Sequence, residues 1–271
     1  MLDFLAPRLH LGCSTTGLAL LRRDRFGRHA GVPIERSLLD APGSAALLAQ
    51  QLRAALAEAH CAGATVSMTL ADDWFRLFVV TPPSNAAQQR DLDAAVAMRF
   101  GQLYGNDATD WVLQPGWQAG APFLVAAMPR TLQAALHDIG TELRLRWVAI
   151  LPHCVAAWNR WHGALKNGDW FGVAHDGMLS LLILDGANMI ALRRQSIDQA
   201  DMKNPAWLTE YVQREALRLN LPAPQRVQLC GEVPQPWTGI APQRIACLAL
   251  VDNKLPARSP DAALAQAGVP A

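Results

Sequence analysis

The sequence predicts a two-lobed α/β protein whose halves repeat one plan, and two observations carry that prediction. Leu9 to Leu21, LHLGCSTTGLALL, reads as a strand, a tight turn on Gly12, Cys13, Ser14, Thr15, Thr16 and Gly17, and a returning strand. A poorer copy recurs as Val173 to Leu184, VAHDGMLSLLIL, with Gly177 as its only glycine. Each half also reads as three strands and then a helix, with a strand–helix insert in the first. Two hairpins, one opening each half, imply a cleft between two lobes.

The elements follow in order. After the first hairpin, Ala30 to Ser37 reads as a third strand, and Asp40, Pro42 and Gly43 break the pattern. Residues 44–60 are helical, because Leu48, Leu52 and Leu56 fall at i, i+4 and i+8 on one face. Strands follow at Thr65 to Leu70 and Trp74 to Val80, split by Asp72 and Asp73. Ser84 or Asn85 can cap the next helix, whose stripe is Leu92, Val96, Phe100 and Leu103. Trp111 to Trp117 and Phe123 to Ala127 form a strand pair, and Thr131 caps a helix carrying Leu132, Leu136 and Ile139. Arg144 to Leu151 is a strand, and a helix from His153 to about Trp161 closes the first half. Lys166 to Asp169 marks the lobe boundary. Three meander strands come next: Trp170 to Ala174, Met178 to Leu184 and Asn188 to Gln195. Asn204 and Pro205 start a helix with Leu208, Tyr211, Val212 and Leu219 inside; Arg226 to Cys230 is a buried-type strand, and Ser259 and Pro260 start a terminal helix.

Composition excludes several classes. With 51% hydrophobic and 17% charged residues in 271, the chain fills a substantial core. A formal net charge of +1 gives no case for nucleic acid, and the cluster Arg22, Arg23, Arg25 and Arg28 reads as a solvated hairpin tip. Five scattered cysteines without a CxxC pair fit reduced, buried thiols in a cytoplasmic protein. The N-terminus lacks a basic region followed by an apolar one, so no secretory signal is expected. No run approaches the roughly 20 apolar residues of a spanning helix.

Small hydroxyl residues and glycines between apolar strands leave backbone N–H groups free to face an anion. Other constellations carry less. Asp72 and Asp73 between two strands are ordinary turn residues. Ser14 has no G-x-S-x-G context, and His60-Cys61 and His153-Cys154 are sequence neighbours that read as structural. Most of the nine tryptophans belong to the core, with Trp111 and Trp117 on one strand face and Trp158 and Trp161 on one helix; any exposed tryptophan would mark a partner surface.

The order of these elements resembles the actin-like fold of the type IV pilus assembly protein PilM and the cytoplasmic part of the type II secretion protein GspL. The opening hairpin, Thr65 to Gly140, RWVAILPHCVAAWNRW, the second hairpin, LCGEV and DAALAQAG fall in the expected places over nearly the whole chain. The resemblance implies an actin-like, ribonuclease H-like two-lobed fold. Residues 1–165 would form the first lobe with 64–143 as an inserted subdomain, and 166–271 the second lobe, lacking most of its second subdomain. The family's first phosphate turn has the form Asp-x-Gly-Ser-Ser; here His10 stands where Asp belongs. In the second turn His175, or Ala174 one residue earlier, takes that place, and the adenosine motif is reduced to Cys230-Gly231-Glu232.

Magnesium takes oxygen ligands, and imidazole is a poor substitute. Asp176 is one residue out of register, which on a strand turns the side chain to the other face. A degenerate ATPase is therefore expected, with Gly12, Ser14, Thr15, Gly177 and Gly231 as the remnant nucleotide cleft. No catalytic residue and no metal are expected; ATP is the one cofactor left open. The expected function is a non-catalytic cytoplasmic scaffold, peripheral to the inner membrane through its partners. It would bind the cytoplasmic peptide of a PilN-type inner-membrane protein, at a sheet edge or in a groove of the insert, and the assembly ATPase is a further candidate partner. The rivals are an ATPase or sugar-kinase-like phosphotransferase with an atypical site, and a regulator binding metal through His10 and His175.

Overall fold

Residues 8–23, 34–41, 43–84, 86, 88–105, 108–117, 120–238, 244–251 and 259–268 are described by a computed structural model of the chain. Arg25 and Arg28, the start of the strand expected from Ala30, the break at Pro42 and the Asn85 cap lie outside the described residues.

The first half runs β1 (Arg8–Cys13), β2 (Gly17–Arg23), β3 (Ile34–Ser37), α1 (Ala45–Glu58), β4 (Thr65–Leu70), β5 (Arg76–Val80), α2 (Gln89–Tyr104), β6 (Trp111–Pro115), β7 (Phe123–Pro129), α3 (Arg130–Glu142), β8 (Arg146–Pro152) and α4 (His153–Trp161). The second runs β9 (Trp170–His175), β10 (Met178–Asp185), β11 (Asn188–Ser196), α5 (Gln199–Lys203), α6 (Trp207–Arg218), β12 (Arg226–Gly231), β13 (Ala246–Leu250) and α7 (Pro260–Ala267). The first sheet has the order β3-β2-β1-β4-β8 and the second β11-β10-β9-β12-β13. In each, an antiparallel meander of three strands has two parallel strands added beside its first. The duplicated plan is thus present strand for strand, including β13, an apolar run that the sequence reading passes over.

Strand parity joins the lobes. Leu179, Leu181 and Ile183 of β10 pack on Leu208, Tyr211 and Val212 of α6. Leu182, on the opposite face, joins Phe171, Val173 and Cys230 in a core shared with Leu9, Leu11, Leu48, Leu52, Leu136 and Ile139 of the first lobe. Each fully buried leucine contributes about 2 kcal/mol by removal from water, so the interlobe seam is a continuation of the core.

The insert is a three-stranded antiparallel sheet, β5-β7-β6, with α2 on one face. It begins later than residue 64, because β4 pairs with β1 and β8 in the first sheet. At the other end α3 packs back on α1. Gln88, rather than Ser84, caps α2: its N–H donates to the Asp91 carboxylate at 3.0 Å. Leu103 faces outward at 44% exposure, while Val96 and Phe100, with Leu92, Ala95 and Tyr104 beside them, meet the sheet. Thr131 lies inside α3, whose cap is Pro129. Asn204 accepts from Ala206 N–H at 2.9 Å one residue before α6, and α5, capped by Asp198, precedes it, so residues 196–225 hold two helices rather than one. Trp117 lies beyond β6 and does not share a strand with Trp111.

Candidate functional site

The residues expected to form the remnant nucleotide cleft lie at two turns: α7 packs on the first through Gly12 and Ser14, and the charges of His175 and Asp176 in the second reach Asp261 of α7. In the first turn, Ser14 N–H is shared between Gly17 O at 2.9 Å and the Asp261 carboxylate of α7 at 3.0 Å. The Ser14 hydroxyl accepts from Thr16 N–H and Gly17 N–H at 3.2 and 3.0 Å. Thr15 uses its carbonyl, which accepts from Gly43 N–H at 3.1 Å. Gly12 is where α7 crosses β1: a Cβ there would lie 2.1 Å from the Asp261 carbonyl oxygen and 2.3 Å from the Ala265 nitrogen. The glycine therefore serves close helix-on-strand packing.

The second turn is built alike. Asp176 and Gly177 both have positive φ, 48° and 68°, as a two-residue hairpin requires. Asp176 N–H donates to the Glu232 carboxylate at 3.3 Å, and the other oxygen of Glu232 is 3.7 Å from His175 Nδ1. Gly231 has φ 87°, and a Cβ there would be 2.1 Å from Ala174 O. One amide in each turn thus meets a carboxylate of the chain itself. Burial pushes the Asp261 carboxyl up; hydrogen bonds from Ser14 and the charge of His175 pull the other way, while Asp176 adds to the rise.

The histidines divide differently from expectation. His175 meets His153 edge-on, with ring centroids 5.2 Å apart, whereas His10 lies in β1 between Leu21 and Ser67. Burial, and then the neighbouring His175, hold His153 down at about 3. Among the described residues no group of three or more His, Cys, Asp or Glu is placed to hold a metal ion. Burial, then the adjacent Asp72, push the Cys154 thiol well up, which removes its nucleophilic form.

The sequence reading misses the structural role of Asp72, Asp73 and Trp74 beside this site. They form a single 3-10 turn, and each ties a different element. Asp72 is buried; its carboxylate accepts from Cys154 N–H at the start of α4 at 3.0 Å and from the Ser180 hydroxyl of β10 at 2.6 Å. Asp73 pairs with Arg194 of β11. Trp74 Nε1 donates to Ser14 O at 3.0 Å. The available signal was that Asp-Asp-Trp contains neither the glycine nor the proline of an ordinary hairpin turn.

A groove of about 700 Å³ lies between the first sheet and the insert. Trp147 to Pro152 of β8 form one wall, Val112, Gln114, Leu124, Ala126 and Met128 of β6 and β7 face them, and Trp158 and Met189 contribute from α4 and β11. Among the described residues β8 pairs only with β4, which leaves it as an edge strand with its other side unpaired there. Val148 is 66% exposed, and Trp117, 41% exposed, meets the groove residue Phe123 in a tilted ring contact with centroids 5.3 Å apart. Gly140 shapes the wall by admitting the Trp147 ring, whose Nε1 donates to Leu136 O at 3.2 Å.

No protein-family profile matches the sequence, and no curated protein matches it at the sequence level. Solved structures do. The cytoplasmic domain of EpsL, an inner-membrane component of the type II secretion system of Vibrio cholerae, superposes with a TM-score of 0.60 at 13% identity, over 97% of this chain and 94% of that one. A Bacteroides thetaiotaomicron protein with an actin-like ATPase fold and unknown function gives 0.56 at 11% identity, over 92% and 94%. The PilM–PilN type IV pilus biogenesis complex gives 0.55 at 18% identity, over 85% and 82%. At these identities the likeness is one of architecture, and it agrees with the duplicated sheets, the insert and the returning terminal helix: the chain has the actin-like fold.

Proposed function

We propose that the protein is a non-catalytic scaffold of a type IV pilus or type II secretion assembly platform, and that it docks the short cytoplasmic segment of a single-span inner-membrane protein of the PilN type. The observation that carries this is the apolar groove along the edge strand β8. An extended peptide there can add to the edge through its backbone while its side chains enter the groove, so the two docking modes left open by the sequence converge on one place. The EpsL and PilM–PilN likenesses support the machine class.

The reading as non-catalytic is supported by the carboxylates of Asp261 and Glu232 at the two turns, where they would repel a phosphate. The test is calorimetric titration with a synthetic peptide of the cytoplasmic N-terminal segment of a PilN-type single-span protein. Saturable binding, lost in Val148→Arg without a change in melting temperature, is the expected outcome. No heat at high peptide concentration overturns the proposal.

A further inference from the structure

A second cavity, of about 250 Å³, opens on the other side of the insert, where its edge strand β5 faces β11, the edge strand of the second lobe. Its floor is apolar, with Leu77, Val79, Ile190 and Leu192, and its polar groups are Tyr104, Arg99 and Arg193; no carboxylate lines it. Arg193 is engaged on one side only, through Nε to the buried Glu215 and Nη1 to Leu192 O. Arg99 is exposed and joins no ion pair among the described residues. Behind Tyr104, the Arg76 guanidinium rests on the rings of Tyr104 and Trp111, 4.6 and 4.3 Å from their centroids, and its Nη1 is buried without a hydrogen-bond acceptor. Arg194 Nε is likewise buried without one; Arg76 and Arg194 stand behind the lining and are not part of it. Burial pushes the Tyr104 hydroxyl up, while Arg76, Arg194 and Arg99 all pull it down, which places three guanidinium charges around one ring. Of the neighbouring carboxylates, Asp73 is paired with Arg194, and Glu215 with Arg193 and Arg218.

Two guanidinium groups, Arg99 and Arg193, and the Tyr104 hydroxyl line the cavity with no carboxylate among the described lining residues, and such a lining calls for an anion. The apolar floor calls for a hydrocarbon body behind it. We propose that this cavity binds a small organic anion, a carboxylate or phosphate on a short apolar body, held by Arg99 and Arg193 and bridging the insert to the second lobe. It is separate from the β8 groove and does not rest on the scaffold reading.

The test uses the full chain with 3-phenylpropionate as probe and its uncharged amide as control. Saturable binding of the acid is expected, with the amide weaker by about tenfold, the worth of a charge-assisted hydrogen bond. Arg99→Gln, an exposed change that leaves the fold intact, is expected to weaken the acid by a similar about tenfold factor with no change in melting temperature. Displacement of the acid by inorganic phosphate would support a phosphate-bearing ligand at this site, and failure of displacement a carboxylate. Equal binding of acid and amide, an unchanged Arg99→Gln, or no saturation by about 10 mM overturns the proposal.

Discussion

His153 shows how one side chain registers the lobe seam. It is buried against His175 and held down at about 3, well below its ordinary value of 6.5. The native state therefore refuses a proton that the unfolded chain accepts. Its stabilising contribution is complete above pH 6.5 and is lost as pH falls from 6.5 towards 3. Urea unfolding at a series of pH values should show wild type losing stability relative to His153→Gln below pH 6.5, with a slope approaching about 1.4 kcal/mol per pH unit. Parallel profiles would mean that His153 is solvated in the native state. Gly12 makes a related point about legibility. Glycine between two strands reads correctly as a special position, but the cause is a helix contributed from the far end of the chain, a contact to which local spacing is blind. Asp261, in turn, looks like an ordinary first-turn acid of α7; its partner at Ser14 is visible only in three dimensions.

At the scale of elements, periodic segments were legible and their contacts were not. α1, α4, β9, β10 and β11 lie within a residue or two of their expected bounds, because apolar repeats and turn residues are local. The cap of α2 shifted because the Asp91 carboxylate, further along, supplied the bond to Gln88 N–H; Asn204 keeps its expected role of accepting a backbone N–H, from Ala206, but α6 itself begins only at Trp207. The Asp72–Trp74 turn was misjudged for a different reason: its composition is that of a surface loop, while its position is between lobes. Removing the Asp72 carboxylate strands Cys154 N–H and the Ser180 hydroxyl. Asp72→Ala is therefore expected to cost about 2–4 kcal/mol, measured by chemical denaturation. Asp72→Asn, which keeps an acceptor and gains a donor, should recover at least half of that loss. A loss under about 0.5 kcal/mol for the alanine variant would show that the turn bears no interlobe load.

For the whole molecule, the fold class and the duplicated plan followed from element order, since two copies of one topology leave the same signature twice. The insert's true start could not be read, because β4 and β5 are both apolar runs and only pairing partners distinguish them. At this scale the prediction concerns the cleft. Millimolar ATP with magnesium is expected to leave the melting temperature unchanged; a ligand that binds only the folded state would raise it. A reproducible rise would restore the phosphotransferase reading.

The shared core and the Asp72–Trp74 turn have a mechanical consequence. Both walls of the β8 groove belong to elements tied to one seam, through Phe75 beside that turn and Trp158 of α4. If β8 docks the membrane-anchored segment proposed above, tension on that segment would load the strand's hydrogen bonds in shear, all at once, rather than peel them singly. The lobes, locked together behind it, would pass that tension on instead of yielding at a hinge.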